Sequence, residues 1–202
     1  RIEYFPGVET WFGRLNRYVR ECSRGTMKLR HYLVSAGLAE ILEGARIKKH
    51  FTRIYASQYF FDHHERATFP SVVINDTAKT QYLFRINKGR EKPEESINEY
   101  MPEAERPIPF AHMLYMGDGM TDVPSMTVAK KNGGHAIAVY PPDAPRKIEE
   151  CRRLAAADRI DYFAVADYRA GTELDRRVKL ILDLVIARIR FERERHVFRS
   201  GL

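Results

Sequence analysis

The sequence predicts an α/β fold with a mostly parallel sheet and flanking helices. Three observations carry that reading. Short apolar runs alternate with longer amphipathic segments along the whole chain. Several of the short runs end in Gly-, Ser- or Asp-containing turns. The 202 residues are 44% hydrophobic and 30% charged, enough apolar matter for a core and enough charge for a solvated surface. Strands that alternate with helices indicate βαβ units and hence parallel pairing.

The elements follow in order. Pro6-Gly7 signals a turn, and Val8 to Cys22 reads as a helix with Trp11, Phe12, Leu15, Tyr18 and Val19 on one side and Gly25 beyond its end. Leu29 to Val34 is a short strand stopped by Ser35-Ala36-Gly37, and a helix runs on through Leu42 to Gly44. Ile54 to Phe61 and Phe69 to Ile74 read as two strands of a hairpin with a polar link. Thr77 to Ile86 is helical. Residues 87–110 are polar, carry Pro93, Pro102, Pro107 and Pro109, and read as an insert within one core spanning residues 1–202. Met113 to Met116 is a buried strand and Thr121 to Asn132 a helix. Ala136 to Tyr140 is a strand, Ala144 to Ala156 a helix, and Tyr162 to Ala166 a last strand. Glu173 to Glu194 is a long helix with Leu174, Val178, Ile181, Leu182, Val185 and Ile189 at helical spacing.

Composition narrows the function classes. Lys plus Arg number 34 against 27 Asp plus Glu, a formal charge of +7, which favours anionic ligands only weakly. Two cysteines, Cys22 and Cys151, argue against a disulfide framework and for a cytoplasmic location. The best apolar run, Leu180 to Ala187, is broken by Asp183 and falls far short of the roughly 20 residues of a membrane span. No membrane partner is expected.

Ligands of open parallel sheets sit beyond the carboxyl ends of the strands, so three strand ends are the candidate site. The first is Leu33-Val34-Ser35-Ala36-Gly37. Its hydroxyl and the N–H groups opening the next helix suit a phosphoryl oxygen, although for this segment taken alone a plain helix-capping serine is the better explanation. The second is Asp76-Thr77-Ala78-Lys79-Thr80. Asp76 or Thr77 caps a helix there, placing Lys79 in the first turn, where a cation opposes the helix dipole at about 0.3–1 kcal/mol. A phosphate facing Lys79 explains that cost; a tolerated surface lysine is the bland alternative. The third is Tyr115-Met116-Gly117-Asp118-Gly119-Met120-Thr121-Asp122. Two glycines bracket an acid directly after a strand, and a second acid follows at a helix start. Hard oxygen ligands so placed suit Mg2+, which keeps several waters and shares a substrate phosphate.

In this order the three segments resemble motifs two, three and four of the haloacid dehalogenase-like hydrolase superfamily, most closely its phosphoserine-phosphatase-like branch. The pattern shared is Ser-Ala-Gly, then Asn-Asp-Thr-Ala-Lys-Thr, then Gly-Asp-Gly-Met-Thr-Asp. Asn87-Lys88-Gly89, the prolines up to Phe110, and Gly133-Gly134-His135 through Val139 also resemble one bacterial branch of that superfamily. The resemblance implies a Rossmann-like core and a Mg2+-dependent phosphatase acting on a phosphorylated small molecule through an aspartyl-phosphate. It implies that Ser35, with the N–H of Ala36 or Gly37, binds the phosphoryl group, and that Lys79 neutralises charge on the nucleophile and phosphoryl oxygens. It further implies that Asp118 ligates Mg2+, and that Asp122 holds the metal's water shell or Lys79. A nucleophilic carboxylate splits the reaction into two steps, and positive charge on the equatorial oxygens lowers the barrier to each.

The resemblance has a gap. The superfamily's first motif is an Asp-x-Asp that ends the central strand and supplies the nucleophile and the general acid/base. This sequence contains no Asp-x-Asp; Asp158 and Asp161 are three apart and too late. Tyr4-Phe5-Pro6-Gly7 resembles the point where a cap returns to the core. The expectation is therefore a carboxyl-terminal portion whose central first strand, nucleophile and cap lie outside the chain and must be supplied by another segment or chain. The alternative is a catalytically inactive phosphate-binding or regulatory protein. The substrate depends on the cap and is not written in these residues.

The remaining candidates have plainer readings. His63-His64 lies in a polar turn, and His112 and His135 flank strands as packing or loop residues. Tyr140-Pro141-Pro142 reads as the loop after a strand. Arg188, Arg190, Arg193, Arg195 and Arg199, with Phe191 and Phe198 among them, read as a solvated face of the last helix. Only charge speaks for nucleic acid there.

Overall fold

A computed structural model describes residues 2–201. Its elements are α1 (Val8–Cys22), β1 (Tyr32–Leu38), α2 (Ala39–Glu43), β2 (Arg53–Phe61), β3 (Ala67–Val72) and α3 (Ala78–Lys88). There follow β4 (Leu114–Gly117), α4 (Val123–Lys131), β5 (His135–Tyr140), α5 (Pro145–Ala156), β6 (Tyr162–Val165) and α6 (Glu173–Ser200). The fold is α/β with parallel and mixed pairing, as the alternation predicts. The described residues divide into two compact units, one of residues 2–3 and 30–136, the other of residues 4–29 and 137–201. Among the described residues no helix is long and apolar enough to cross a membrane.

In the first unit β1 pairs in parallel with β2, and β2 turns back antiparallel onto β3. Tyr55, Ile74 and Ile86 form a buried cluster that joins β2 to α3, with Tyr32, Val34 and Tyr82 packed around it. Four residue steps along β1, from Val34 to Leu38, match only two along β2, from Tyr55 to Ser57. The expected strand end at Ser35-Ala36-Gly37 is thus a bulge inside β1. The Ser35 hydroxyl accepts the Gly37 N–H at 3.0 Å, a local turn that takes up the extra length.

The hairpin of β2 and β3 carries the stacked pair Phe60 and Phe69, centroids 5.1 Å apart. Pro70 on β3 has no N–H to offer a further strand, which blunts that edge. Among the described residues β1 and β4 are not paired with each other, and each is an end strand of its sheet. An open edge also explains why Leu114, Tyr115 and Met116, expected to be buried, are only half-buried.

The proline-rich stretch is a loop, as expected, but α3 reaches to Lys88 and organises it. The Arg85 guanidinium donates to the carbonyls of Lys92 at 2.7 Å, Glu95 at 3.0 Å, Arg90 at 3.2 Å and Pro93 at 3.4 Å. Lys88 Nζ donates to Ile97 O and Glu99 O, and Asn87 Nδ2 to Ile108 O. Gly89 ends the helix at φ 65°, and a Cβ there would stand 2.9 Å from Pro107.

In the second unit β5 and β6 pair in parallel. α5 and α6 pack on β6, and α1 packs on α6. Trp11, Leu15 and Val19 of α1 and Leu174, Val178, Ile181, Leu182, Val185 and Ile186 of α6 are buried. The buried Asp175 carboxylate accepts from Arg14 and Lys179, each at 2.9 Å, and from Gly171 N–H at 3.0 Å. Burial alone would push its pKa up. The Lys179 hydrogen bond, the Gly171 N–H and Arg14 together outweigh burial and hold it below the ordinary value. α6 extends to Ser200, beyond the expected Glu194, because the arginine- and glutamate-rich tail contains no breaker.

Two expectations follow. Arg85→Ala should destabilise the protein by about 2 kcal/mol and expose the Arg90–Glu91 bond to trypsin and the Glu95–Ser96 and Glu99–Tyr100 bonds to a glutamate-specific protease. Arg85→Lys should not restore protection, since one ammonium cannot fork to four carbonyls. Limited proteolysis read by mass spectrometry decides, and unchanged cleavage rates would contradict it. The depressed Asp175 pKa contributes stability above its unfolded value, near 3.8, that is lost as pH falls through the lower folded value. Urea midpoints measured from pH 5 to pH 2 should show this acid loss, reduced in Asp175→Asn.

Candidate functional site

The site is built at the end of β4. Gly117 closes the strand, Asp118-Gly119 turns the chain, and Met120–Asp122 form one 3-10 turn before α4, which has Pro124 in its first turn. Asp122 N donates to Gly119 O at 3.0 Å, folding the Asp122 side chain back toward the strand. A Cβ on Gly117 would lie 2.6 Å from the Asp122 Cβ, so only glycine admits the carboxylate there.

The Asp122 carboxylate is buried, and each of its oxygens has a donor. Oδ1 accepts from Lys79 Nζ at 2.8 Å and from the Tyr115 hydroxyl at 2.8 Å. Oδ2 accepts from Asp118 N–H at 3.2 Å. Lys79 is also buried, with a weaker contact to Thr121 Oγ1 at 3.4 Å. Burial, followed by the charge and hydrogen bond of Asp122, pushes the Tyr115 phenol well above its ordinary pKa. Tyr115 therefore remains a neutral donor at physiological pH. Asp118 is exposed, and among the described residues no side chain pairs with its carboxylate.

Lys79 stands in the first turn of α3, as predicted, but the expected caps do not act. Thr77 makes no capping bond. Instead Asn75 Oδ1 accepts Ala78 N–H at 2.8 Å and the Thr77 hydroxyl at 3.1 Å. The cost of a lysine at a helix start is offset by the Asp122 carboxylate.

Ser35 lies on the bulge of β1, with its oxygen on Gly37 N–H. It therefore does not head a helix, and the Gly37 N–H assigned to a phosphoryl oxygen is engaged locally. Among the described residues no hydrogen bond joins Ser35, Ala36 or Gly37 to Lys79, Asp118 or Asp122. The link is indirect and runs through Ser57, which sequence reasoning missed. The Ser57 hydroxyl donates to Ala36 O at 3.1 Å and accepts Ile74 N–H at 3.1 Å. It ties the Ser-Ala-Gly bulge to the segment that leads into Lys79. The signal was a lone polar residue in the buried run Tyr55-Ala56-Ser57. Tyr115 was also passed over as a strand residue, though its place three before Asp118 puts a hydroxyl beside the turn.

As a Mg2+ site the residues fit in part. Asp118 offers an open carboxylate, whereas both oxygens of Asp122 already have donors. Among the described residues no group of three His, Cys, Asp or Glu side chains is gathered around one point. A Mg2+ here would have Asp118 as its protein ligand, which suits a cation that keeps several of its waters.

Lys79→Met should cost about 3–5 kcal/mol, because it leaves a buried carboxylate without its cation. Lys79→Met combined with Asp122→Leu should recover a large part of that loss. Urea unfolding of the two single variants and the pair measures the coupling; additive losses would mean that the pair does not act as a unit.

No family model matches the sequence, and no solved structure matches it. The chain is 25% identical over 191 residues to an uncharacterized protein of Borreliella burgdorferi, an alignment that takes in 86% of this chain. It spans 65% of that protein's length.

Proposed function

We propose that this chain is the phosphate-handling part of a Mg2+-dependent phosphatase similar to the haloacid dehalogenase-like hydrolases. The observation that carries the reading is the 2.8 Å pair of Lys79 and Asp122, which joins the second and third motif-like segments beside the open Asp118 carboxylate. Asp118 would hold the Mg2+, which when bound supplies charge to draw in and polarise the phosphoryl oxygens. Lys79, oriented by Asp122, presents a fixed ammonium to the same oxygens. Tyr115 and the Asp118 N–H keep the Asp122 carboxylate in place, so Lys79 is positioned before substrate arrives. Ser35 would be a hydroxyl donor in this reading, since accepting the Gly37 N–H leaves its own proton to give.

The nucleophilic carboxylate belongs, in this proposal, to a strand outside these residues. It attacks phosphorus, the alcohol leaves with a proton, and water then cleaves the aspartyl-phosphate to free phosphate. That β1 and β4 are both end strands supports a further strand there, since unpaired edges favour strand addition. Two lone thiols, Cys22 and Cys151, are in keeping with a reducing cytoplasm. The lack of any Asp-x-Asp in the sequence favours one second reading, a non-catalytic phosphate-binding or regulatory protein.

The test compares the 202-residue chain with the product of its full reading frame. The proposal expects Mg2+-dependent p-nitrophenyl phosphate hydrolysis only from the latter, reduced at least about 100-fold by Lys79→Met or Asp118→Asn. Lys79-dependent phosphate binding without turnover by either protein supports the second reading. Neither turnover nor phosphate binding overturns both.

A further inference from the structure

In the first unit the large apolar side chains left in water gather at one end. β1 and β2 run parallel as far as the pair Leu38 and Ser57, so their carboxyl ends point the same way. Beyond that pair β2 continues with β3 as a two-stranded ribbon carrying Tyr59, Phe60, Phe61 and Phe69, which are 39–55% exposed. Phe60 and Phe69 stack on one face, and Tyr59 and Phe61 alternate onto the other. Ile41, in α2 directly after β1, is exposed too, and Glu40 beside it accepts the Tyr59 N–H at 2.9 Å. So is Val73 at the root of the ribbon, where the Ser57 hydroxyl accepts the N–H of the next residue, Ile74, at 3.1 Å. Asn75 then caps α3, and Lys79 in its first turn reaches Asp122, two residues past the exposed Met120. Among the described large apolar residues of this unit, only Tyr100 is exposed elsewhere.

The charge of this end is opposite to that of the chain. Residues 39–43, 58–79 and 118–122 hold seven Asp and Glu against two cations, Arg66 and Lys79. Both cations are paired, Arg66 with Asp62 at 3.1 Å and Lys79 with Asp122 at 2.8 Å. His63 and His64 stack on each other at the ribbon tip, centroids 3.9 Å apart. The segment after α2 holds Arg46, Lys48 and Lys49; Glu43 takes Lys48, and the segment leads back to the amino end of β2, where Thr52 N–H donates to His31 O at 2.7 Å. Among the described residues no cation pairs with Glu65, Asp76 or Asp118. An alcohol that bears a carboxylate therefore finds no open cation on these segments, whereas an apolar one finds aromatic faces. Pro70 on the outer edge of the ribbon turns contact toward those faces and away from strand addition.

We propose that this carboxyl-end face selects the substrate by its alcohol, taking phosphate monoesters with an aromatic body and no further negative charge. The ribbon aromatics are the specificity-determining residues, contributing contact area to the ring, and the surplus carboxylates repel an acidic alcohol. This selectivity rests on the phosphate-handling role proposed above for Lys79 and Asp118, and adds to it the class of ester handled.

The product of the full reading frame is given benzyl phosphate, 4-carboxybenzyl phosphate and ethyl phosphate with Mg2+, three esters whose alcohols leave with similar ease. Benzyl phosphate should be hydrolysed with a kcat/KM at least about ten-fold above either of the others. In calorimetry, benzylphosphonate should bind at least about ten-fold more tightly than methylphosphonate, with or without turnover. One of two paired variants, Phe60→Ser with Phe69→Ser or Tyr59→Ser with Phe61→Ser, should bring both ratios close to one and so identify the face in use. Tyr100→Ser, on the proline-rich loop, should leave them as they are. Phe61→Lys, which adds a cation to the ribbon, should raise 4-carboxybenzyl relative to benzyl phosphate, and it keeps the test open where a paired variant fails to fold. Hydrolysis or phosphonate binding with no preference for the benzyl group overturns the proposal and leaves the phosphate-handling role standing. So does a preference that both paired variants and Phe61→Lys retain unchanged. Hydrolysis of none of the esters and binding of neither phosphonate removes that role, and the selectivity with it.

Discussion

A carboxylate taken out of water needs a cation and a full set of donors, and the region around the β4 end is arranged to meet that demand at Asp122. Gly117 gives up its side chain so that the carboxylate can fit. Tyr115 and Asp118 N–H supply neutral donors, and Lys79 comes from another element, 43 residues earlier in the chain, to supply the charge. Removing any one of these leaves the others with an unmet partner. The pair therefore fixes the start of α3 against the turn into α4, which makes it a structural lock as well as a functional candidate.

The second unit repeats the device. Asp175, in the first turn of α6, holds Lys179 on its own helix and Arg14 from 161 residues away. Both aspartates stand at a helix start, where the peptide dipoles favour negative charge. Both gather an element distant in sequence. They differ in what lies beside them. Asp175 is ringed by Thr172, Gly171 and the cations, all of them satisfied, and its depressed pKa belongs to stability. Asp122 has the exposed and unpaired Asp118 carboxylate as a neighbour, and that asymmetry makes the Asp122 lock a functional candidate as well, which Asp175 is not.

The order of elements was legible because apolar runs and breakers state it locally, as with the Gly89 end of α3. The Gly117-Asp118-Gly119 turn was legible for the same reason, since a strand followed by two glycines around an acid has few other uses. What was not legible depends on partners distant in sequence. Ser57 joins Ala36 to Ile74 across a strand pair, and no local pattern predicts which hydroxyl will do so. The Ser35 bulge depends on β1 taking four residue steps where β2 takes two. The exposed apolar stripe of α6, at Leu180, Leu184 and Phe191, has the same helical spacing as the buried one. Periodicity finds both stripes, and only the packing of α1 and β6 decides which is covered.

The charge of the site bears on how a phosphate could enter it. Lys79 and Asp122 cancel, so the open Asp118 leaves the cluster with a net negative charge. A phosphate dianion is repelled by that arrangement, however well Lys79 is oriented. A divalent cation on Asp118 reverses the sign, whereas a movement that frees Lys79 from Asp122 only separates two charges and leaves their sum unchanged. The second exposes a buried carboxylate to its full desolvation penalty and breaks the contact that joins α3 to the β4 turn. The first costs only waters from an exposed ligand. Under the proposed function a metal at Asp118 with Lys79 held still is therefore the cheaper arrangement, and the pair would then have a role that a plain surface lysine lacks: it would fix where the protein's cation is and leave the sign of the site to the ion beside it.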